Sequence, residues 1–133
     1  MSSIMFACIN NTGRSQMAVA FFNRHKTNPA IKGISAGTNP ATEVHPVVHD
    51  IILEVGIGLT NIIPVKLTAE LAQTVSTIVT MGCGEMCPFI PSVKILDWVV
   101  TDPKNKPVEV ARVIRDEIEQ RIKDFVAENH NCG

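Results

Sequence analysis

Ile4-Met5-Phe6-Ala7-Cys8-Ile9-Asn10-Asn11-Thr12-Gly13-Arg14-Ser15-Gln16-Met17-Ala18-Val19-Ala20-Phe21-Phe22 decides how the chain reads. The first four residues are a continuous apolar run, the pattern of a buried strand. From about Arg14, Met17, Ala18, Phe21 and Phe22 keep one broad face of a helix apolar. Between them Cys8 is followed by five residues, an arginine and a serine. A loop joining a strand end to a helix start turns its backbone N–H groups into one concavity, and the helix dipole adds positive potential there. A tetrahedral oxyanion fits the cradle formed by Cys8, Ile9, Asn10, Asn11, Thr12, Gly13 and Arg14. Arg14 can clamp it bidentately. The same field favours the thiolate of Cys8, and Ser15 can donate to that sulfur. Asn11 is read as locking the loop and Gly13 as permitting the turn into the helix.

Outward from this stretch, strands and helices alternate. Ile31 to Ser35 reads as a second strand, followed by the turn cluster Ala36-Gly37-Thr38-Asn39-Pro40. Pro46 opens a helix carrying Val48, Ile51, Ile52 and Val55 in phase, with Gly56 as its stop. Thr68 is a plausible N-cap for a short helix to about Gln73, with Glu70 in its first turn. Ser76 to Met81 is a third strand and Val93 to Leu96 a fourth. Pro107 opens the last helix, whose stripe is Ala111, Ile114, Ile118, Ile122 and Phe125. Glu117–Arg121 and Glu119–Lys123 are i,i+4 pairs on its wet face. The expected fold is an α/β three-layer sandwich, a four-stranded parallel sheet flanked by helices, in one domain over residues 1–133. Ligands in such folds bind outside the carboxyl ends of the strands. Cys8 ends strand one, Cys83 follows strand three and Asp102 lies just past strand four, so all three converge on one rim.

The bulk numbers narrow the classes of function. A formal net charge of −1 over 133 residues gives no electrostatic case for nucleic acid or a membrane surface. No run has the length of a transmembrane helix, and Met1-Ser2-Ser3-Ile4 predicts no signal peptide. A cytoplasmic location is expected, where cysteines are more often catalytic, redox or metal-binding than structural.

With these residues in hand, the chain resembles the low-molecular-weight tyrosine phosphatase superfamily, and more closely the arsenate reductases built on that fold. The matching pieces are the Cys8-to-Ser15 loop with Gln16-Met17-Ala18, then Ser35-Ala36-Gly37-Thr38, Val55-Gly56-Ile57 and Leu67-Thr68 with Glu70-Leu71. Met81-Gly82-Cys83-Gly84-Glu85, Cys87-Pro88 and Asp102-Pro103 complete them. The cysteine loop marks only the superfamily; the Cys83 and Cys87 segment picks out the reductase branch. The resemblance implies a thiol relay. Cys8 attacks arsenic, Asp102 helps expel water, Cys83 resolves the Cys8 adduct as arsenite leaves, and Cys87 draws the disulfide outward. No bound cofactor and no metal are implied. The electrons come from an external thiol, thioredoxin first, with glutaredoxin and glutathione the alternative because Cys83 and Cys87 lie closer together than in the best-known thioredoxin-coupled relatives. Arsenate is the expected ligand of the loop, with phosphate or sulfate as its mimic. An i,i+4 pair on a regular helix has Cβ atoms about 5–6 Å apart, and a disulfide wants about 3.5–4.5 Å. The segment 82–88 must therefore rearrange on oxidation.

Plainer readings compete. Cys83, Cys87, Cys132 and His130 could form a zinc site, but C-x3-C and H-x-C are not usual zinc spacings. Cys132 could replace Cys87 as a resolving thiol, or be a spare terminal cysteine. A phosphatase acting on phosphotyrosine, phosphoarginine or a small phosphate ester would share Cys8, Arg14 and Asp102. Against an aryl substrate, Asp102-Pro103 is followed by Lys104 and Asn105 rather than aromatics, and the chain has no tyrosine. A metalloid or redox sensor is a third reading. Val19 stands where potassium-binding relatives carry an acidic residue, and valine cannot ligate a cation. His25, His45 and His49 read as surface or capping residues, and Trp98 as a core anchor near the rim.

Overall fold

The structure, a computed structural model, describes residues 3–9, 13–40, 44–58, 64–81, 93–103 and 106–128. Its elements run β1 (Ser3–Cys8), α1 (Arg14–His25), β2 (Lys32–Gly37), α2 (Pro46–Leu53), α3 (Ala69–Ala72), β3 (Thr77–Thr80), β4 (Lys94–Asp97) and α4 (Val108–Glu128). The four strands form one parallel sheet in the order β2-β1-β3-β4. The chain turns left from β1 to β2 and right from β3 to β4. The topological switch point therefore lies at the carboxyl ends of β1 and β3, where open α/β sheets bind ligands.

Alternation along β1 sends its side chains to two cores. Ile4, Phe6 and Cys8 join the larger cluster with Met17, Phe21 and Phe22 of α1, Val48, Ile51 and Ile52 of α2, and Ala111, Ile118 and Ile122 of α4. Met5 and Ala7 face the smaller cluster with Ala36, Leu67, Ala72, Ile78 and Val93. Each large side chain buried this way contributes about 1.5–3 kcal/mol relative to exposure. Phe22 and Phe125 meet at 6.2 Å between ring centroids and join α1 to α4. Trp98 lies between Phe6 and Phe125, at 6.3 and 5.9 Å, the core anchor that its position suggested.

The helix stops follow local chemistry. The hydroxyl of Thr68 accepts from Leu71 N–H at 3.1 Å and caps α3. The ring Nδ1 of His45 accepts from Val47 N–H at 3.2 Å and caps α2, with Pro46 at its start. Gly56 ends that turn at φ +88°, a left-handed conformation that favours glycine. Gly33 serves a different need. A Cβ there would stand 2.7 Å from Cδ2 of Phe22, so β2 and α1 approach as only a glycine allows.

Three strand boundaries differ from the sequence reading. β2 runs on through Ala36 and Gly37, which pair with Ala7 and Cys8. The small residues that suggested a turn are held extended by their neighbour strand. β3 is shorter than expected, yet Ser76 N–H still donates to Ser3 O at 2.9 Å. β4 is shifted by one residue and ends at Asp97, whose carboxylate accepts from the Thr80 hydroxyl at 2.8 Å. On α4 the Glu117–Arg121 pair forms at 3.5 Å. Glu119 instead meets Nε2 of His25 at 2.7 Å, so His25 is a partnered bridge between α1 and α4 rather than a plain surface histidine. Among the described residues no helix is long and apolar enough to cross a membrane.

Candidate functional site

Cys8 is the last residue of β1 and is 3% exposed. Two backbone bonds hold this strand end. Thr38 N–H donates to Cys8 O at 3.1 Å, and Asn39 N–H donates to Ile9 O at 2.8 Å. On the other side Met81 N–H donates to Ala7 O at 2.7 Å, so the chain after β3 leaves from beside the cysteine. Ile9 is exposed at the rim.

Gly13 is the N-cap of α1 and has no side chain to occupy the first-turn N–H groups. Donors that lack intrahelical partners at a helix start suit an anion. Ser15 is fully buried in that first turn, and its Oγ lies 2.9 Å from Sγ of Cys8. With Cys8 as thiolate, Ser15 is the donor, and a hydrogen bond to a charged acceptor is the strong kind.

Arg14 opens α1 with its side chain buried. Its Nη1 donates to Val100 O at 3.2 Å, and Nη2 reaches Oδ2 of Asp102 at 3.5 Å. Its Nε is buried and has no partner among the described residues. The guanidinium is thus a fixed cation between the cysteine loop and the segment after β4. Asp102 is about half exposed, so its carboxyl can reach both solvent and whatever Arg14 holds.

The acid-bearing segment is seated on the loop by packing. A Cβ built on Gly13 would lie 3.5 Å from Cγ of Pro103 and 3.6 Å from Cγ2 of Val48. Pro103 is buried. The loop, the Asp102-Pro103 turn and α2 therefore meet at one point.

Of the residues singled out in the sequence, Cys8, Ile9, Gly13, Arg14, Ser15 and Asp102 are brought together here. Asn10, Asn11, Thr12, Cys83 and Cys87 lie outside the described residues, as do Cys132 and His130 of the zinc alternative. Sequence reading missed the Val100 carbonyl that holds Arg14, because every residue has a carbonyl and no side-chain signal marks it. It also missed Val48 as a wall of the site. Val48 read as one more apolar position of a helix stripe.

The arrangement sets a buried thiol, a buried guanidinium and a half-exposed carboxyl on one rim. The profile of the low molecular weight phosphotyrosine protein phosphatase family matches residues 3–131. A putative arsenate reductase of Halobacterium salinarum is 33% identical over 127 residues, covering 92% of this chain and 89% of its own. The glutaredoxin arsenate reductase of Synechocystis is 28% identical over 131 residues, covering 96% of this chain and 98% of its own. Among solved structures, the thioredoxin-dependent arsenate reductase of Corynebacterium glutamicum superposes with a TM-score of 0.82 at 31% identity. That match covers 96% of this chain, which spans 61% of the Corynebacterium chain.

Proposed function

This chain belongs to the low molecular weight phosphotyrosine protein phosphatase family, and we propose that within it the chain reduces arsenate to arsenite by a cysteine relay. It is an arsenate reductase, an oxidoreductase on a phosphatase fold. The observation that carries the relay is the 2.7 Å bond from Met81 N–H to Ala7 O. It sets Met81 beside the residue before Cys8. Cys83 follows Met81 by two residues, a length of chain of at most about 7 Å, which supports reading it as the resolving thiol.

The chemistry follows from the groups in place. The first-turn N–H groups of α1 and the guanidinium of Arg14 bind the arsenate oxygens. The Cys8 thiolate attacks arsenic. A sulfur–arsenic bond forms, an arsenic–oxygen bond breaks, and the departing oxygen leaves as water with a proton from Asp102. An oxyanion that takes Arg14 competes with Asp102 for the guanidinium and leaves that carboxyl available for the transfer. The Cys83 thiolate then attacks Sγ of Cys8. The new sulfur–sulfur bond forms as the sulfur–arsenic bond breaks, and its electron pair stays on arsenic, which departs as arsenite. Cys87 attacks Cys83, frees the Cys8 thiolate and leaves a Cys83–Cys87 disulfide. An external dithiol reduces it by the same exchange. We take that reductant to be thioredoxin, with glutaredoxin and glutathione as the alternative, and the compartment to be the cytoplasm, where thiols stay reduced.

The fourth cysteine is a poor resolving thiol. α4 starts beyond the Asp102-Pro103 turn, and its 21 residues carry the chain about 30 Å away. Its last residue, Glu128, lines a groove with Lys94 at the amino end of β4. Cys132 lies four residues further, a tether of at most about 14 Å.

The reading is tested by adding arsenate to the reduced protein, quenching the thiols and mapping disulfides by mass spectrometry. Arsenate-dependent Cys8–Cys83 and Cys83–Cys87 bridges are expected. Brisk hydrolysis of an aryl phosphate without such bridges would assign the site to a phosphatase.

A further inference from the structure

Away from the reacting groups, a buried arginine joins α2 to α4. Arg115 is 8% exposed. Its Nη1 donates to Ile51 O at 2.9 Å and to Oε1 of Glu54 at 2.8 Å, and its Nε donates to Asp116 at 2.9 Å. Arg112 takes the same Glu54 carboxylate in a fork, with Nη2 to Oε2 at 2.7 Å and Nε to Oε1 at 3.0 Å. The Glu54 side chain is itself 39% exposed, and an ion pair reaching solvent contributes little to stability. Its geometry is specific, however. It grips the last carbonyl-bearing turn of a helix only eight residues long.

A helix that short is marginal alone and takes its place from tertiary contacts. The apolar face of α2, Val48 with Ile51 and Ile52, holds it against the core, but apolar contacts are non-directional and allow sliding. The Arg115 bonds to Ile51 O and Glu54 are directional and fix where α2 stops along α4. One helical turn before that grip, Val48 lies against Gly13, and Pro103 lies against the same glycine. Pro103 directly follows Asp102, and its ring fixes the backbone there.

We propose that Arg115 and Glu54 are positioning residues for Asp102: their clamp sets the register of α2, and the Val48–Gly13–Pro103 contact passes that register to the acid. The inference rests on Asp102 being the proton donor. In the step that reads it out, the Cys8–phosphorus bond forms, the ester phosphorus–oxygen bond breaks, and the leaving oxygen takes the Asp102 proton. A displaced acid slows esters with basic leaving groups and spares those whose leaving group needs no proton.

The experiment compares kcat/KM over a series of aryl phosphates of graded leaving-group acidity for the wild type, D102N, R115M and E54Q, with inhibition by inorganic phosphate measured alongside. D102N is expected to lose about a hundredfold on the most basic leaving group and little on the most acidic. R115M and E54Q are expected to lose about tenfold on the most basic leaving group, under about twofold on the most acidic, with phosphate inhibition unchanged. R115M in the D102N background is expected to add no further leaving-group dependence, and R115K to recover part of the loss. E54Q, nearly the same shape as the native residue, serves if R115M does not fold. A uniform loss across the series, or none, in R115M and E54Q while D102N shows the steep dependence overturns the clamp. A D102N series parallel to wild type overturns the reading of Asp102 beneath it.

Discussion

The sulfur of Cys8 and the hydroxyl of Ser15 are 2.9 Å apart, both buried, one at the end of the central strand and the other in the first turn of the helix that follows. Ser15 follows Cys8 by seven positions, and the residues between them are the ones proposed to hold the oxyanion. The hydroxyl is placed to donate to the sulfur.

Ser15→Ala should therefore slow the first step without touching the fold. A hydrogen bond to a charged group contributes about 1.5–3 kcal/mol, so a loss of about ten- to a hundredfold is expected. Alkylation of Cys8 by iodoacetamide, in a background lacking the other three cysteines, checks it. An unchanged alkylation rate would remove Ser15 from the chemistry.

Arg14 holds Val100 O and faces Asp102 through separate nitrogens, with Nε buried between the two segments. Lysine keeps the charge and loses the fork. Arg14→Lys should cost about 10²–10³ in kcat/KM for arsenate, the scale of removing an oxyanion donor. Steady-state reduction coupled to the thiol reductant measures it. A loss below about fivefold would mean that point charge alone suffices.

The cysteines should separate by tether. Cys83→Ser is expected to abolish arsenate reduction and to spare aryl phosphate hydrolysis, which needs only the first cysteine. Cys132→Ser is expected to leave both intact, because α4 runs about 30 Å from its start before ending at Glu128. Loss of reduction in the Cys132 variant would show that the tail returns to the site.

The Glu54 clamp has a pH signature. The Arg112 hydrogen bond, aided by Arg115 and opposed by burial, holds the Glu54 carboxyl below the ordinary glutamate value. A depressed carboxylate contributes stability above its unfolded pKa, about 4.3, and loses it as pH falls through the folded value. The melting temperature of Glu54→Gln should lie below wild type near neutral pH, and the gap should close on acidification below about pH 4. A gap that stays constant down to pH 3 would refute the linkage.

Gly33 tests the packing beneath the site. A Cβ there meets Cδ2 of Phe22 at 2.7 Å and Oδ1 of Asn23 at 3.0 Å. Phe22 is fully buried and cannot withdraw. Gly33→Ala should cost about 1–3 kcal/mol, the usual range for overpacking. Denaturant unfolding measures it, and a variant as stable as wild type would show that β2 can shift away from α1.

What the sequence alone determined is local. A run of apolar residues, a turn and a 3.6-residue stripe involve neighbours within a few positions, so β1, α1, the α2 start at Pro46 and the stripe of α4 could all be read directly. The Cys8-to-Ser15 loop was legible for the same reason: its cysteine, its arginine and its serine sit within eight residues. Strand ends were less legible. Ala36 and Gly37 look like a turn until Ala7 and Cys8 pair with them. Only the tertiary structure decided what meets across the chain. Val100 O holds Arg14 from 86 residues away, and Glu119 reaches His25 from 94. Val48 and Pro103 converge on Gly13, and Arg115 grips the end of α2. Backbone carbonyls and generic apolar or charged side chains carry no positional signature, because what selects among them is the folded packing itself.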